Sequence, residues 1–253
     1  MTEKTVTGIQ GLDELVGGGI PKGRVVLVIG GPGTGKTIFA AQFLYKGIKD
    51  HNENGIFVSL DESKEHFFDE MQQFGWDFRK AEGDMKFALI DATRISRVAM
   101  LKEKLYKEET KSLQGKQLSI EKLVEEIQAK IQMVKAKRVV VDTLAALFYR
   151  FPDPVERRSA VVDLIESLSD LPVTSIITTE LGHLGLERSA AEEEEFLVHG
   201  VIVMQTLFSG GTTTRAIQVE KMRGAKVNPN LVPYSIDRNG IEVYQNMPLF
   251  GEK

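Results

Sequence analysis

The chain contains no cysteine, which excludes disulfides, iron–sulfur clusters and thiolate-held zinc. Histidine is nearly as scarce. His51, His66, His183 and His199 lie far apart without ligand spacing, so no transition-metal site is expected. No stretch is apolar for long enough to span a bilayer, and the opening Met1-Thr2-Glu3-Lys4-Thr5 lacks the apolar core of a secretory signal. A cytoplasmic chain without membrane contact is the expectation. Excess basic charge is missing too: the net charge is −4 and the pI near 5.7, against a broadly basic nucleic-acid surface. A local basic run, Lys135, Lys137 and Arg138, remains. Low-complexity linkers and internal repeats are absent, and 253 residues suit a single domain spanning 1–253.

Glycine, by contrast, is concentrated where it carries chemistry. Gly30-Gly31-Pro32-Gly33-Thr34-Gly35-Lys36-Thr37 is a complete G-x-x-x-x-G-K-[ST] phosphate loop. The run before it, Arg24 to Ile29, is β-branched and apolar, as a buried parallel strand would be. The run after it, from Ile38 to Leu44, has helical spacing. Strand, glycine loop and helix start aim backbone N–H groups and the positive helix end at one spot. Residues 30–38 are therefore expected to bind a nucleoside triphosphate, with Lys36 on the β- and γ-phosphates and the Thr37 hydroxyl on Mg²⁺.

Strand-like runs recur at Ile56 to Leu60, Phe87 to Ile90, Val139 to Val141 and Val173 to Thr178. Between them lie helical faces. Ile120, Leu123, Val124, Ile127, Ile131 and Val134 form one, with Ser119 as a fitting N-cap. Val161, Leu164, Ile165 and Leu168 form another. Trp76, with Phe74 and Phe78, reads as packing at a helix end. This alternation predicts an α/β domain around a mostly parallel sheet flanked by helices. Runs at Val201 to Met204, Thr214 to Glu220, Leu231 to Ile236 and Ile241 to Tyr244 have no helices between them, and Gly210-Gly211 and Asn239-Gly240 are turn signals. They predict a C-terminal antiparallel extension. Lys102 to Lys116 reads as a solvated helix and loop, and Glu192 to Glu195 as either a solvated helix start or a partner-binding run.

Hydrolysis also needs a carboxylate for the metal's water shell and one for the attacking water. Asp142 ends the buried run Arg138 to Val141, on the sheet edge where ligands collect. It reads as the metal-side aspartate, acting through water. No acid follows it directly. The next candidates are Asp61 and Glu62, after the strand Ile56 to Leu60. Should that strand neighbour the phosphate-loop strand, its tip faces the γ-phosphate; otherwise the two acids simply open a helix.

Several further segments resemble the RecA-like ATPases, and most closely single-domain relatives of the circadian-clock ATPase KaiC. They are Thr7-Gly8-Ile9-Gln10-Gly11-Leu12-Asp13, Gly17-Gly18-Gly19-Ile20-Pro21-Lys22-Gly23, Asp61-Glu62-Ser63, Thr178-Thr179-Glu180 and Val219-Glu220-Lys221-Met222-Arg223-Gly224. The resemblance runs over nearly the whole length. It implies a RecA-type P-loop fold, an ATPase using ATP and Mg²⁺, and a homo-oligomer, a hexameric ring that relays its state to a protein partner. It implies that Glu62, with Asp61 beside it, polarises the attacking water, and that Thr179 or Glu180 senses the γ-phosphate. Lys221 and Arg223 would reach in trans into the neighbouring subunit's site; by themselves they read equally as two exposed cations on one strand face. Asp61 stands where the family usually has glutamate. The hydroxyl pair that KaiC phosphorylates has no counterpart in Glu192 to His199, so autophosphorylation of that kind is not expected.

The alternative is a recombinase-like ATPase binding single-stranded DNA. The loop Leu181 to His199, where one DNA-binding segment would lie, carries one arginine, Arg188, against five glutamates, which repel phosphate. A P-loop kinase would want an arginine-rich lid, and none is found.

Overall fold

The computed structural model describes residues 3–93, 120–180, 195–209 and 211–249. A short ribbon, β1 (Lys4–Thr5) with β2 (Ile20–Pro21), brackets helix α1 (Leu12–Leu15) in sequence. Then come β3 (Val25–Gly30), α2 (Lys36–His51), β4 (Gly55–Ser59), α3 (Lys64–Gln72), α4 (Phe78–Gly83) and β5 (Phe87–Asp91). They are followed by α5 (Ile120–Val134), β6 (Arg138–Asp142), α6 (Ala145–Arg150), α7 (Pro154–Ser169) and β7 (Thr174–Glu180). The last strands are β8 (Gly200–Ser209), β9 (Thr212–Met222), β10 (Val232–Asp237) and β11 (Gly240–Val243).

The large sheet runs β11-β10-β9-β8-β3-β7-β6-β4-β5. Its six strands from β8 to β5 are parallel, and β9, β10 and β11 extend it antiparallel. Side chains alternate across each strand. Val26 and Val28 therefore enter one core with Phe39, Phe43, Phe57 and Phe67, while Val25, Leu27 and Ile29 enter another with Ile127, Ile131, Leu164 and Ile165. Helices α2 to α4 cover the first face and α5 to α7 the second. Both apolar helix faces read from the sequence are buried. Asp153 caps α7, accepting from the amides of Val155 and Glu156 at 2.9 Å each, with Pro154 in the first turn. Trp76 is buried and stacks on Phe74 and Tyr45. Ser119, Lys102 to Lys116, Arg188, Gly210 and Glu192 to Glu194 lie outside the described residues.

One open condition fails and two readings need correction. The strand β4 does not neighbour β3, because β7 and β6 stand between them. The crossover through α2 carries the chain past two strand positions, and runs of similar β-branched residues do not encode which strand lands beside which. Arg138 cannot belong to a nucleic-acid surface. Its side chain is 0% exposed, paired with Glu53 at 2.6 Å, donating to the Phe43 carbonyl at 2.7 Å and lying over the Phe43 ring. A Cβ at Gly47 would meet its Nε at 2.3 Å, so the helix leaves room for a guanidinium that pairing has made tolerable in the interior. Finally, the hairpin read at Asn239-Gly240 forms between β10 and β11, but its turn sits one residue earlier: Asp237 pairs with Gly240, so the turn residues are Arg238 and Asn239. Gly240 serves a close approach instead: its φ is 106° and a Cβ would meet Gln42 Oε1 at 2.3 Å. Buried Gln42 accepts from the Ile241 amide at 2.6 Å and donates to its carbonyl at 3.1 Å, tying β11 to α2.

Candidate active site

The phosphate loop leaves the carboxyl end of β3 and enters α2. Gly35 caps that helix with φ 91° and no side-chain acceptor, so the first-turn N–H groups are left for an anion. Gly33 is also left-handed, with φ 74°. Gly30 is required for closeness, since a Cβ there would lie 2.6 Å from Thr34 Oγ1 and 2.8 Å from the Met204 carbonyl. The Thr34 hydroxyl donates to the Gly31 carbonyl at 2.8 Å. Lys36 Nζ donates to the carbonyls of Gly30 and Gly31 at 3.0 and 3.1 Å. Pro32 and Gly33 are exposed at the loop's crest, and Ile38 packs against the core.

Acids arrive from the ends of three neighbouring strands. Glu180 ends β7 opposite Gly30, Asp142 ends β6, and Asp61 with Glu62 follows β4. Asp142 is buried. Its Oδ2 accepts from Thr37 Oγ1 at 2.8 Å, its Oδ1 accepts a short hydrogen bond from Thr178 Oγ1, and the Asp142–Thr143 peptide is cis. The Glu62 backbone is clamped: Ser59 Oγ donates to its carbonyl at 2.5 Å and accepts from its amide at 3.2 Å. Ser63 then caps α3.

Electrostatics couple the group. Burial raises the Asp142 carboxyl, opposed by the hydrogen bonds from Thr178 and Thr37. Burial first, then the charges of Asp142 and Glu180, push Asp61 up to about 6. Burial with Glu70, Asp142 and Asp61 pushes Glu62 up to about 7. Burial lowers the Lys36 ammonium, while Glu180, Asp142 and Asp61 hold it up. A carboxylate near 7 suits proton acceptance at neutral pH.

The Thr37 hydroxyl and the Asp142 carboxylate, joined at 2.8 Å beside the start of α2, are oxygen donors alone, a chemistry that suits Mg²⁺. Among the described residues no cluster of three His, Cys, Asp or Glu could hold a metal without it. The donor set fits a cation arriving with the nucleotide.

The loop residues 30–38, Asp61, Glu62, Asp142, Thr179 and Glu180 thus share one sheet edge. Lys221 and Arg223 do not join them. Lys221 pairs with Val201, level with Leu27, about 10 Å short of Gly30 along the strand. Arg223 is farther back, its amide donating to the His199 carbonyl at 2.7 Å. Lys221 Nζ donates to the carbonyls of Glu195 and Val198, and Arg223 Nη2 to that of Phe196. Sequence reading missed Ser59 as a clamp, Thr178 as a partner of Asp142, and Tyr234 behind the loop. The first two lie within quoted or adjacent strands; Tyr234 had no local signal.

A RecA-like α/β sheet with a phosphate loop at its carboxyl edge and acids on the adjoining strand ends defines a P-loop ATPase domain. The chain belongs to the KaiC ATPase family, whose model, described as "ATPase: KaiC", matches residues 5–247. A UPF0273 protein of Methanocaldococcus jannaschii is 35% identical over 98% of each chain, and one of Pyrococcus horikoshii is 36% identical over 98% of this chain and 97% of that one. The circadian clock oscillator protein KaiC 1 of Synechocystis is 31% identical over 96% of this chain, which spans 44% of that protein. Among solved structures, a KaiC-like protein from Pyrococcus horikoshii superposes with a TM-score of 0.81 at 33% identity, covering 96% of this chain and all of that one. No described helix is long and apolar enough to cross a membrane.

Proposed function

We propose that the chain is an ATP-hydrolysing switch that works as a homo-oligomer, a hexameric ring, with each active site completed by the neighbouring copy. The observation that carries this reading is the separation of Lys221 and Arg223 from their own phosphate loop. Within one chain they lie behind it along the strands and donate to the carbonyls of Glu195, Phe196 and Val198, yet cations at the γ-phosphate stabilise phosphoryl transfer. A head-to-tail ring brings the rear of one sheet against the front of the next.

In this reading the loop amides and Lys36 bind the β- and γ-phosphates. Thr37 would hold Mg²⁺ directly and Asp142 through water; the cation supplies charge neutralisation between the phosphates. Glu62, with Asp61 beside it, orients a water and takes its proton as the water oxygen bonds to the γ-phosphorus. The bond to the β–γ bridging oxygen breaks and ADP departs. Thr179 or Glu180, level with Ile29 and Gly30, senses whether the γ-phosphate is present. Lys221 and Arg223 of the adjacent copy neutralise its charge. Ring closure upon ATP binding is the signal passed to a protein partner. No observation favours the DNA-binding alternative, and the burial of Arg138 weakens it.

Light scattering tests the assembly. In Mg-ATP the mass is expected at six times the 28.2 kDa chain. A 28.2 kDa particle that still hydrolyses ATP would overturn the shared site, and an open, growing filament would favour the recombinase reading.

A further inference from the structure

The phosphate loop is braced from behind by β10. Tyr234 is buried, and its phenol Oη donates to the Thr34 carbonyl at 2.6 Å. Two residues on, Ile236 fills the space beneath Gly35, where a Cβ would lie 2.5 Å from Ile236 Cδ1. The Thr34 carbonyl and the Gly35 N–H belong to one planar trans peptide, so they point in opposite directions. Anchoring the carbonyl inward on Tyr234 aims the Gly35 N–H outward, toward the open side of the loop. Accepting a hydrogen bond at the oxygen also polarises that N–H as a donor. Burial raises the phenol's pKa, so the hydroxyl keeps its proton. The brace is itself held. Val232 and Pro233 pair with β9, and β11 is tied by Gln42 to α2, the helix the loop leads into.

We propose that Tyr234 is a positioning residue of the phosphate loop: its hydroxyl fixes the Thr34–Gly35 peptide plane so that the Gly35 amide meets the phosphate chain. The proposal rests on the triphosphate-binding role of the loop stated above. It separates Tyr234 from its neighbour Ser235, whose hydroxyl shares a hydrogen bond with Tyr244 Oη at 2.8 Å, away from the loop.

Calorimetric titration of the full chain with Mg-ATP and Mg-ADP tests it, comparing Tyr234→Phe with Ser235→Ala. Phenylalanine keeps the ring and removes one hydrogen bond, so affinity for both nucleotides is expected to fall about fivefold. Turnover at saturating ATP should stay within about twofold, so the loss appears in KM rather than kcat. Ser235→Ala should bind as the unaltered chain does. Unchanged affinity in Tyr234→Phe overturns the proposal. So does an equal loss in Ser235→Ala, or a Tyr234→Phe chain that loses kcat while keeping affinity. An unaltered chain that binds neither nucleotide removes the triphosphate reading itself.

Discussion

Glu62→Gln is expected to bind Mg-ATP as tightly as the unaltered chain and to turn over about 10²–10⁴-fold more slowly. The amide matches the carboxylate in size, and the Ser59 clamp acts on the backbone of residue 62, so geometry persists. What disappears is the ability to take a proton. In the unaltered chain Glu62 stands at about 7, so turnover should fall as pH drops below that value, and the variant should lose this acidic limb. Stability carries the same group with its own sign. A carboxyl whose pKa is higher folded than unfolded binds protons preferentially in the folded chain. Stability is then lost as pH rises from the ordinary value of 4.5 to about 7. Without nucleotide, the melting temperature of Glu62→Gln should gain on the unaltered chain across that window and level off above it. Steady-state turnover and thermal melts from about pH 4 to about pH 9 read both effects, a range that brackets the ordinary and the raised carboxyl values. Undiminished hydrolysis by the variant would remove Glu62 from the mechanism.

Lys36→Ala is expected to abolish nucleotide binding in practical terms, weakening it at least about a hundredfold. Lys36 faces three acids, Glu180, Asp142 and Asp61. Without the ammonium, those carboxylates meet the triphosphate with no counter-charge from α2. The loop backbone would survive, because Gly30, Thr34 and Tyr234 hold it through contacts that Lys36 does not make. A ligand at a hundred times its Kd stabilises a protein by about 2.7 kcal/mol, so the rise in melting temperature on adding Mg-ATP should vanish in the variant. A shift equal to that of the unaltered chain would contradict the assignment of the loop.

Much of this site was legible because its parts are contiguous or periodic. Residues 30–38 state their chemistry locally, the α5 face follows a single helical period, and Asp142 stands directly after a buried run. The relation between Asp61 and the loop was legible only as a condition, and the condition failed: β4 lies three positions from β3. Glu62 nevertheless comes near Asp142 and Asp61, since every parallel strand of the sheet delivers its carboxyl end to the same edge. Arg138 gave a misleading signal. An arginine ahead of three valines reads as a surface cation, and its burial depends on Glu53 and on a gap at Gly47, neither of which marks itself. Tyr234 lies two hundred residues from Thr34, so no spacing rule connects them. The remoteness of Lys221 and Arg223 from their own loop is a matter of strand register, which residue identities alone do not convey.

The shared active site is tested most directly by mixing two inactive variants. Arg223→Ala should bind nucleotide and turn over at least about a hundredfold more slowly, while Lys36→Ala lacks a working loop yet still presents Arg223. In an equal, randomly exchanged mixture, about a quarter of the interfaces join an intact loop to an intact arginine. Hydrolysis should reappear at up to that fraction of the unaltered rate. Mixed assemblies that exchange subunits yet remain as inactive as either parent would contradict the account.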